Sequence, residues 1–379
     1  MNKTIVIKGW IILLLSQLWY GCASNQKESD TIYVDLEAPK ADANDFFDDW
    51  RYVALKTTNG VEDGLIGTIK HIAIDDSTIV IQANESEDIL IYDRSGNLIT
   101  KFNRHGQGPH EYLDANRIKL KDGNIWLICK MSKRLIQYDK AGNYISQYKL
   151  PYGFGDFRFI DDETVILDSD FTNGSGYNFI VYNLKDENVL GQILPFDIKK
   201  GMSRGTLSSS FISNGTDKIY LTQIFDNNIY ELTSNSTLEV AYKYDFNSEF
   251  KVSDEDLQEM TKVQLYDLTA GQNYVRWFGP GYWTGDICYQ YLDCYPPYIY
   301  KHNWSTGEGS LLSIGNTRFT DFPFLCSKPI TVYDGNYVSV LQPFNIDFIE
   351  NKIGKKIITD SVEITDDSNP VLFFHHFKN

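Results

Sequence analysis

The chain has 379 residues, 42% hydrophobic and 14% aromatic, with a formal net charge of −16. That length allows one large or two ordinary domains, and 25 Tyr favour strands over helices. The acidic balance, more simply used for solubility, excludes a nucleic-acid surface: phosphate contacts need clustered Lys and Arg, and no basic run exceeds Lys199-Lys200 or Lys355-Lys356.

The N-terminus has the form of an export signal. Lys3 and Lys8 precede the apolar run Trp10-Ile11-Ile12-Leu13-Leu14-Leu15, and Gly21-Cys22 follows. The run is shorter than the roughly 20 apolar residues that span a bilayer. Residues 1–21 are therefore expected to be a signal peptide, with Cys22 as a lipidation site. The box departs from the usual lipoprotein pattern, since Trp19 stands where Leu is typical. An ordinary signal peptide with an unrelated cysteine is the alternative. Residues 22–44 are expected to form a flexible tether and 45–379 one domain.

The segment Trp50-Arg51-Tyr52-Val53-Ala54-Leu55 reads as a strand with no local partner. After it the sequence repeats. Ile91-Tyr92-Asp93-Arg94-Ser95-Gly96-Asn97 returns as Gln137-Tyr138-Asp139-Lys140-Ala141-Gly142-Asn143, and weaker copies fall at Tyr182, Tyr230 and Tyr300. Each unit alternates apolar residues and is punctuated by Asp75-Asp76, Asp122-Gly123, Asp161-Asp162 or Asp334-Gly335. Alternation bounded by Asp, Asn and Gly reads as hairpins. Four short antiparallel strands every 40–50 residues are the signature of a propeller blade. Six blades are expected, near 65–102, 112–150, 155–196, 205–246, 274–314 and from 317 onward. The unpartnered strand at Trp50–Leu55 is expected to join Val371-Leu372-Phe373-Phe374 in the last blade and close the ring. The fold class is thus all-β, a six-bladed β-propeller of four-stranded antiparallel blades.

Two stretches stand outside the rhythm. Ser253 is placed to cap a helical insertion over 254–268, with Leu257, Met260, Leu265 and Leu268 on one face. Earlier, Arg104-His105-Gly106-Gln107-Gly108-Pro109-His110-Glu111-Tyr112 links two blades. Gly106 and Gly108 are expected at positive φ, with Pro109 fixing the turn. Glu111 and Tyr112 would tie the loop to the neighbouring blade.

This loop, with the Tyr-Asp-x-x-Gly hairpin before it, resembles the six-bladed propeller lipoproteins of Bacteroidetes, relatives of NHL-repeat and TolB-like propellers. Their pattern is G-x-G-P-G-E-Y, and His110 stands at its last glycine. The closing Asp366-Asp367-Ser368-Asn369-Pro370-Val371-Leu372 is similar to the ending of that family. The resemblance covers roughly residues 45–379. The acidic end of the tether also resembles the surface-export signals of such lipoproteins. It implies the fold and an exported, outer-membrane location facing the periplasm or the surface, and little about activity.

Candidate chemistry is sparse. No G-x-S-x-G or H-E-x-x-H occurs. The acidic pairs recur at turn positions, so hairpin chemistry explains them more cheaply than catalysis. No C-x-x-C occurs, and buried thiols explain Cys288 and Cys294 as well as a cross-hairpin disulfide does. His105 and His110 lack further ligands, so no metal and no cofactor is expected. The ligand-binding candidates are Arg104, His105, His110 and Glu111 in the loop and the aromatic residues Trp277, Tyr282 and Trp283. Inter-blade packing competes as an explanation for the aromatics. The reading that follows is a lipid-anchored binding or interaction module with a glycan, peptide or envelope-protein ligand. The competing reading is a carbohydrate-active hydrolase or lyase at the channel mouth, and no catalytic residue is identifiable.

Overall fold

Six antiparallel sheets follow one another along the chain and close into a ring, a six-bladed β-propeller. The computed structural model describes residues 30–57, 64–201, 209–212, 218–314, 322, 324–325, 327–354, 356–358, 364–365 and 367–378. The expected signal peptide, Cys22 and Cys326 lie outside these residues. The first strands of the blades are Ile69–Ile74, Arg117–Lys121, Asp156–Phe159, Phe211–Ile212, Trp277–Thr284 and Thr331–Tyr333. Neighbouring first strands touch one another around the axis, as Ile69–Ile74 does with Arg117–Lys121 on one side and Thr331–Tyr333 on the other.

Local chemistry explains the hairpins. Asp75 Oδ1 accepts from the backbone N–H of Ser77 (3.0 Å) and Thr78 (2.7 Å), and Asp161 Oδ1 does the same for Glu163 and Thr164. Asp93 and Asp139 hold the Tyr-Asp-x-x-Gly turns in the same manner. These carboxylates are spent on turns. The second strands Thr78–Ala83 and Thr164–Asp168 are buried along their whole length, because a blade covers each face.

Closure occurs where the unpartnered strand suggests. Phe47–Ala54 pairs antiparallel with Val371–Phe377 as the outer strand of the sixth blade. Gly96, at φ +79°, lets the chain pass, since a Cβ there would lie 2.1 Å from Ala54 O. Asn369 adds a tie: it accepts from Ile66 N–H (2.7 Å) and donates to Gly64 O (2.8 Å).

Two expectations change, a further helix is present, and the open question of the two cysteines is answered. The segment 22–44 is not wholly a tether. Asp30–Asp35 runs parallel to the long outer strand Thr237–Asn247 of the fourth blade, burying Ile32 and Val34 against Tyr242 and Tyr244. This covers an edge that would otherwise be open. The helical insertion is two helices, α1 (Asp254–Glu259) and α2 (Lys262–Leu268). Ser253 caps α1 as expected, but Thr261 and Gln264 form a second capping box that restarts the chain after extended Met260. Leu265 is buried among Phe171, Phe225 and Trp277, whereas Leu268 is exposed. A third helix, α3 (Pro343–Ile353), follows the second strand of the last blade. Cys288 and Cys294 are separate buried thiols: Cys288 faces His302 in the next strand, and Cys294 Sγ lies 3.2 Å from Pro296 O.

Candidate functional site

The glycine-proline loop is a built-in wedge at the rim. It leaves the outer strand of the first blade and packs on the outer half of the second. Arg134 donates to Glu111 O (2.7 Å) and Pro109 O (3.2 Å), and Tyr138 donates its hydroxyl proton to His110 O (2.7 Å). Tyr112 is fully buried and donates to Glu87 O (2.8 Å). Neither Gly106 nor Gly108 has φ in the left-handed region, contrary to the sequence expectation. Their hydrogen side chains are required by Glu111. Its Oε2 accepts from Gly108 N–H at 2.7 Å, and a Cβ on Gly106 would stand 2.1 Å from that oxygen.

Of the candidate residues in this loop, Arg104, His110 and Glu111 line one open cleft of about 350 Å³ with Gly108, Pro109, Asn143 and Tyr144. His110 stacks on Tyr144 with ring centroids 3.9 Å apart. Arg104 Nε donates to Gly142 O (3.3 Å). His105 is not in the cleft lining; its Nε2 lies 3.0 Å from Leu113 O.

The aromatic candidates sit elsewhere and do not converge. Tyr282 stacks on Phe377 of the sixth blade (5.6 Å, 6° between planes). Its neighbour Trp283 faces the other way, onto Tyr220 and Tyr242 of the fourth blade. Trp277 is buried against Tyr291. Alternation along one strand sends these rings into two different blade seams.

A buried cluster of charge is one the sequence reading did not single out. Asp156 begins the inner strand of the third blade and is 2% exposed at its side chain; it lies 3.0 Å from Lys119 Nζ and 3.5 Å from Arg117 Nε. Ser209 Oγ donates to its Oδ2 (2.5 Å). Burial pushes this carboxyl up, but Lys119, Arg117 and the Ser209 bond outweigh it and hold its pKa below the usual range. Asp168 stands directly opposite Asp156 in the ladder. Burial, with the Asp156 charge added, pushes Asp168 up to about 6. His71 Nδ1 lies 3.1 Å from Arg117 Nη1, and burial followed by the Arg117 charge drives the imidazole pKa well below normal. The ring is therefore neutral, and its Nδ1 accepts the Arg117 proton. A buried low carboxylate, a raised one and a neutral imidazole can bind a polar ligand or exchange protons with it.

The helical insertion packs on three blades. Leu265 of α2 packs on Phe171 and Phe225 in loops of the third and fourth blades and on Trp277 of the fifth, and Lys262 Nζ lies between the Phe171 (5.3 Å) and Phe225 (5.7 Å) rings. Phe171 and Phe225 both adopt positive φ, 55° and 59°, strain that the packing over them sustains.

Residues 31–376 match the sequence model of a family described as a domain of unknown function, DUF4934. Among solved structures, the chain is similar to a protein of Bacteroides fragilis described as exported, at 16% identity, over 92% of this chain and 100% of that one, with a TM-score of 0.72. A member of the DUF4221 family from Bacteroides vulgatus matches at 12% identity over 87% and 98%, with a TM-score of 0.50. At these identities the likeness concerns the fold. No curated protein matches the sequence.

Proposed function

The chain belongs to the DUF4934 family, and on that footing we propose that it is an exported cell-envelope binding module that takes its ligand at the axis of the propeller. The observation that carries the reading is the cluster of His71, Arg117, Lys119 and Asp156 on inner strands of three blades, with Asp168 opposite Asp156 on the second strand of the third. Burying so many charges costs stability, and propellers can close on apolar residues alone. Export is supported by the Lys3-to-Cys22 pattern and by a similar fold described as exported in Bacteroides fragilis. Lipid on Cys22 would anchor the protein to the outer membrane. Cys22 is so close in sequence to Asp30 that the leash spans less than about 30 Å. It would leave from the rim at the fourth blade, where Asp30–Asp35 is paired.

The test is a binding screen of glycans, peptides and envelope proteins against the protein and its Lys119→Met variant. A ligand whose binding survives Lys119→Met but fails in Arg104→Gln would move the site to the rim cleft. Acylation is checked separately by labelling with a palmitate analogue, which Cys22→Ala should abolish.

A second reading, a hydrolase or lyase, is supported by the opposed Asp156 and Asp168, whose pKa values are pushed apart. One ionised and one protonatable carboxyl is the pairing that acid–base cleavage of a glycosidic bond needs. Turnover of a bound glycan that Asp168→Asn removes, with binding kept, would select this reading.

A further inference from the structure

The inner strands of the first three blades carry an excess of cations that the rest of this acidic chain does not predict. Lys70, Arg117, Lys119, Lys121 and Arg158 lie on Ile69–Ile74, Arg117–Lys121 and Asp156–Phe159; Asp156 is the single carboxylate on those strands. Two of the five are neutralised at the ends: Lys70 by Glu87 (2.8 Å) and Lys121 by Asp162 (2.6 Å) and Asp122 (2.7 Å).

The other three have fewer counter-ions: Asp156 and, opposite it on the second strand, Asp168, whose pKa burial raises to about 6. Arg117 and Lys119 share Asp156. Arg158 donates to the backbone carbonyls of Ile212 (3.0 Å) and Lys218 (3.4 Å) and, among the described residues, joins no ion pair. Burial lowers the pKa of Lys119, and Arg117 and Arg158 lower it further against the pull of Asp156. If these groups only glued blades together, one carboxylate per cation would do the work without like-charge repulsion.

Access and surroundings point the same way. Lys119 keeps 27% of its side chain open, while the acid it holds is closed off. Its Nζ lies 4.9 Å from the Phe211 ring centre and 5.4 Å from that of Phe157. Apolar walls around surplus positive charge exclude water and strengthen attraction for an anion. His71 and Asp156 fix Arg117 from two sides, so the cations are set before a ligand arrives.

We propose that this wall binds an oxyanion, a carboxylate, sulfate or phosphate group, on a small ligand in the axial channel, with Lys119 and Arg158 as the contacting cations and Asp156 and His71 as positioning residues. The inference rests on the axial reading above and adds the chemical class of the ligand.

The experiment is calorimetric titration of the purified full chain with glucuronate, glucose 6-sulfate and glucose 6-phosphate. Glucose serves as the neutral arm, and inorganic sulfate and phosphate as the bare ions. The variants are Lys119→Met, Arg158→Gln, which breaks no ion pair, and Arg104→Gln at the rim. Saturable binding of at least one acid is expected, weakened at least tenfold in both axial variants, unchanged in Arg104→Gln, and reduced by salt. The acid that binds, compared with the bare ions, identifies the source of the oxyanion. Binding of glucose equal to that of the acids, lost in Lys119→Met, would overturn the oxyanion class and leave the axial reading standing. Acid binding retained by both axial variants would overturn both. Absence of saturable binding to every probe would overturn the oxyanion class.

Discussion

Asp156 holds Lys119 Nζ at 3.0 Å across the seam between the second and third blades, and the same carboxylate serves Arg117 at 3.5 Å. Removing it strands two cations in a poorly hydrated place. Asp156→Asn should cost about 3–5 kcal/mol, the usual loss when one partner of a buried ion pair is deleted. Adding Lys119→Met should recover part of the loss, since it removes one stranded charge. Urea denaturation of the four proteins in this cycle measures both effects. A single variant as stable as the wild type would show that the carboxylate is not the counter-ion of this cluster.

The rim loop gives a second cycle. Gly106→Ala places a Cβ against Glu111 Oε2 and should displace the carboxylate from Gly108 N–H. The expected cost is about 1–3 kcal/mol. In the Glu111→Ala background the same glycine change should cost much less, because the clash is gone. Equal costs in both backgrounds would place the glycine requirement elsewhere. His110→Gly should keep the fold and lose only the stack on Tyr144.

Ring closure is tested by deleting residues 45–57, which takes away the outer strand Phe47–Ala54. The exposed edge of Val371–Phe377 should cause aggregation or a large drop in melting temperature. A monodisperse truncated protein that melts with the wild type would remove this strand from the closure.

His375 sets a pH limit on the last blade. It is fully buried beside Phe47 (5.7 Å between ring centres), and neither ring nitrogen has a hydrogen-bond partner among the described residues. Burial lowers its pKa from 6.5 to about 3. The unfolded chain therefore takes up a proton below about pH 6.5 that the folded chain refuses. Stability from this residue is complete above that pH and is lost as pH falls toward 3. The loss is on the order of 5 kcal/mol at most. His375→Phe should flatten the stability–pH profile between pH 6 and 4. An unchanged slope would assign the acid sensitivity to other groups.

The blades were legible in the sequence because their chemistry is local: an Asp that accepts from its own turn, a Gly after it, and alternation on either side. Trp50–Leu55 was legible as a closure strand because an isolated strand needs a partner. α3 was not, and its composition explains why. Phe344, Ile346 and Phe348 alternate like a strand, but Pro343 starts a helix, and the buried set is Ile346 and Ile349 while Phe344 and Phe348 face out. Asp30–Asp35 was absorbed into a tether because its partner, Thr237–Asn247, is about two hundred residues away. The axial cluster was hidden for the same reason. In Arg117-Ile118-Lys119-Leu120-Lys121 the cations occupy the polar positions of an ordinary strand. Only the ring brings them to His71 on the first blade and to Asp156 and Arg158 on the third.

The last blade also dictates an order of assembly. Val371–Phe377 sits between Asn336–Leu341 and Phe47–Ala54, so the earliest-synthesised strand of the ring pairs with the final one. During synthesis Phe47–Ala54 has no partner until Val371–Phe377 has left the ribosome. The first five blades can form one after another from nearby chain, but the sixth waits, and with it the seal between Asn369 and Gly64. Any premature chain end therefore yields an open ring with a bare strand at each lip, a species that cellular quality control can recognise by its edges alone.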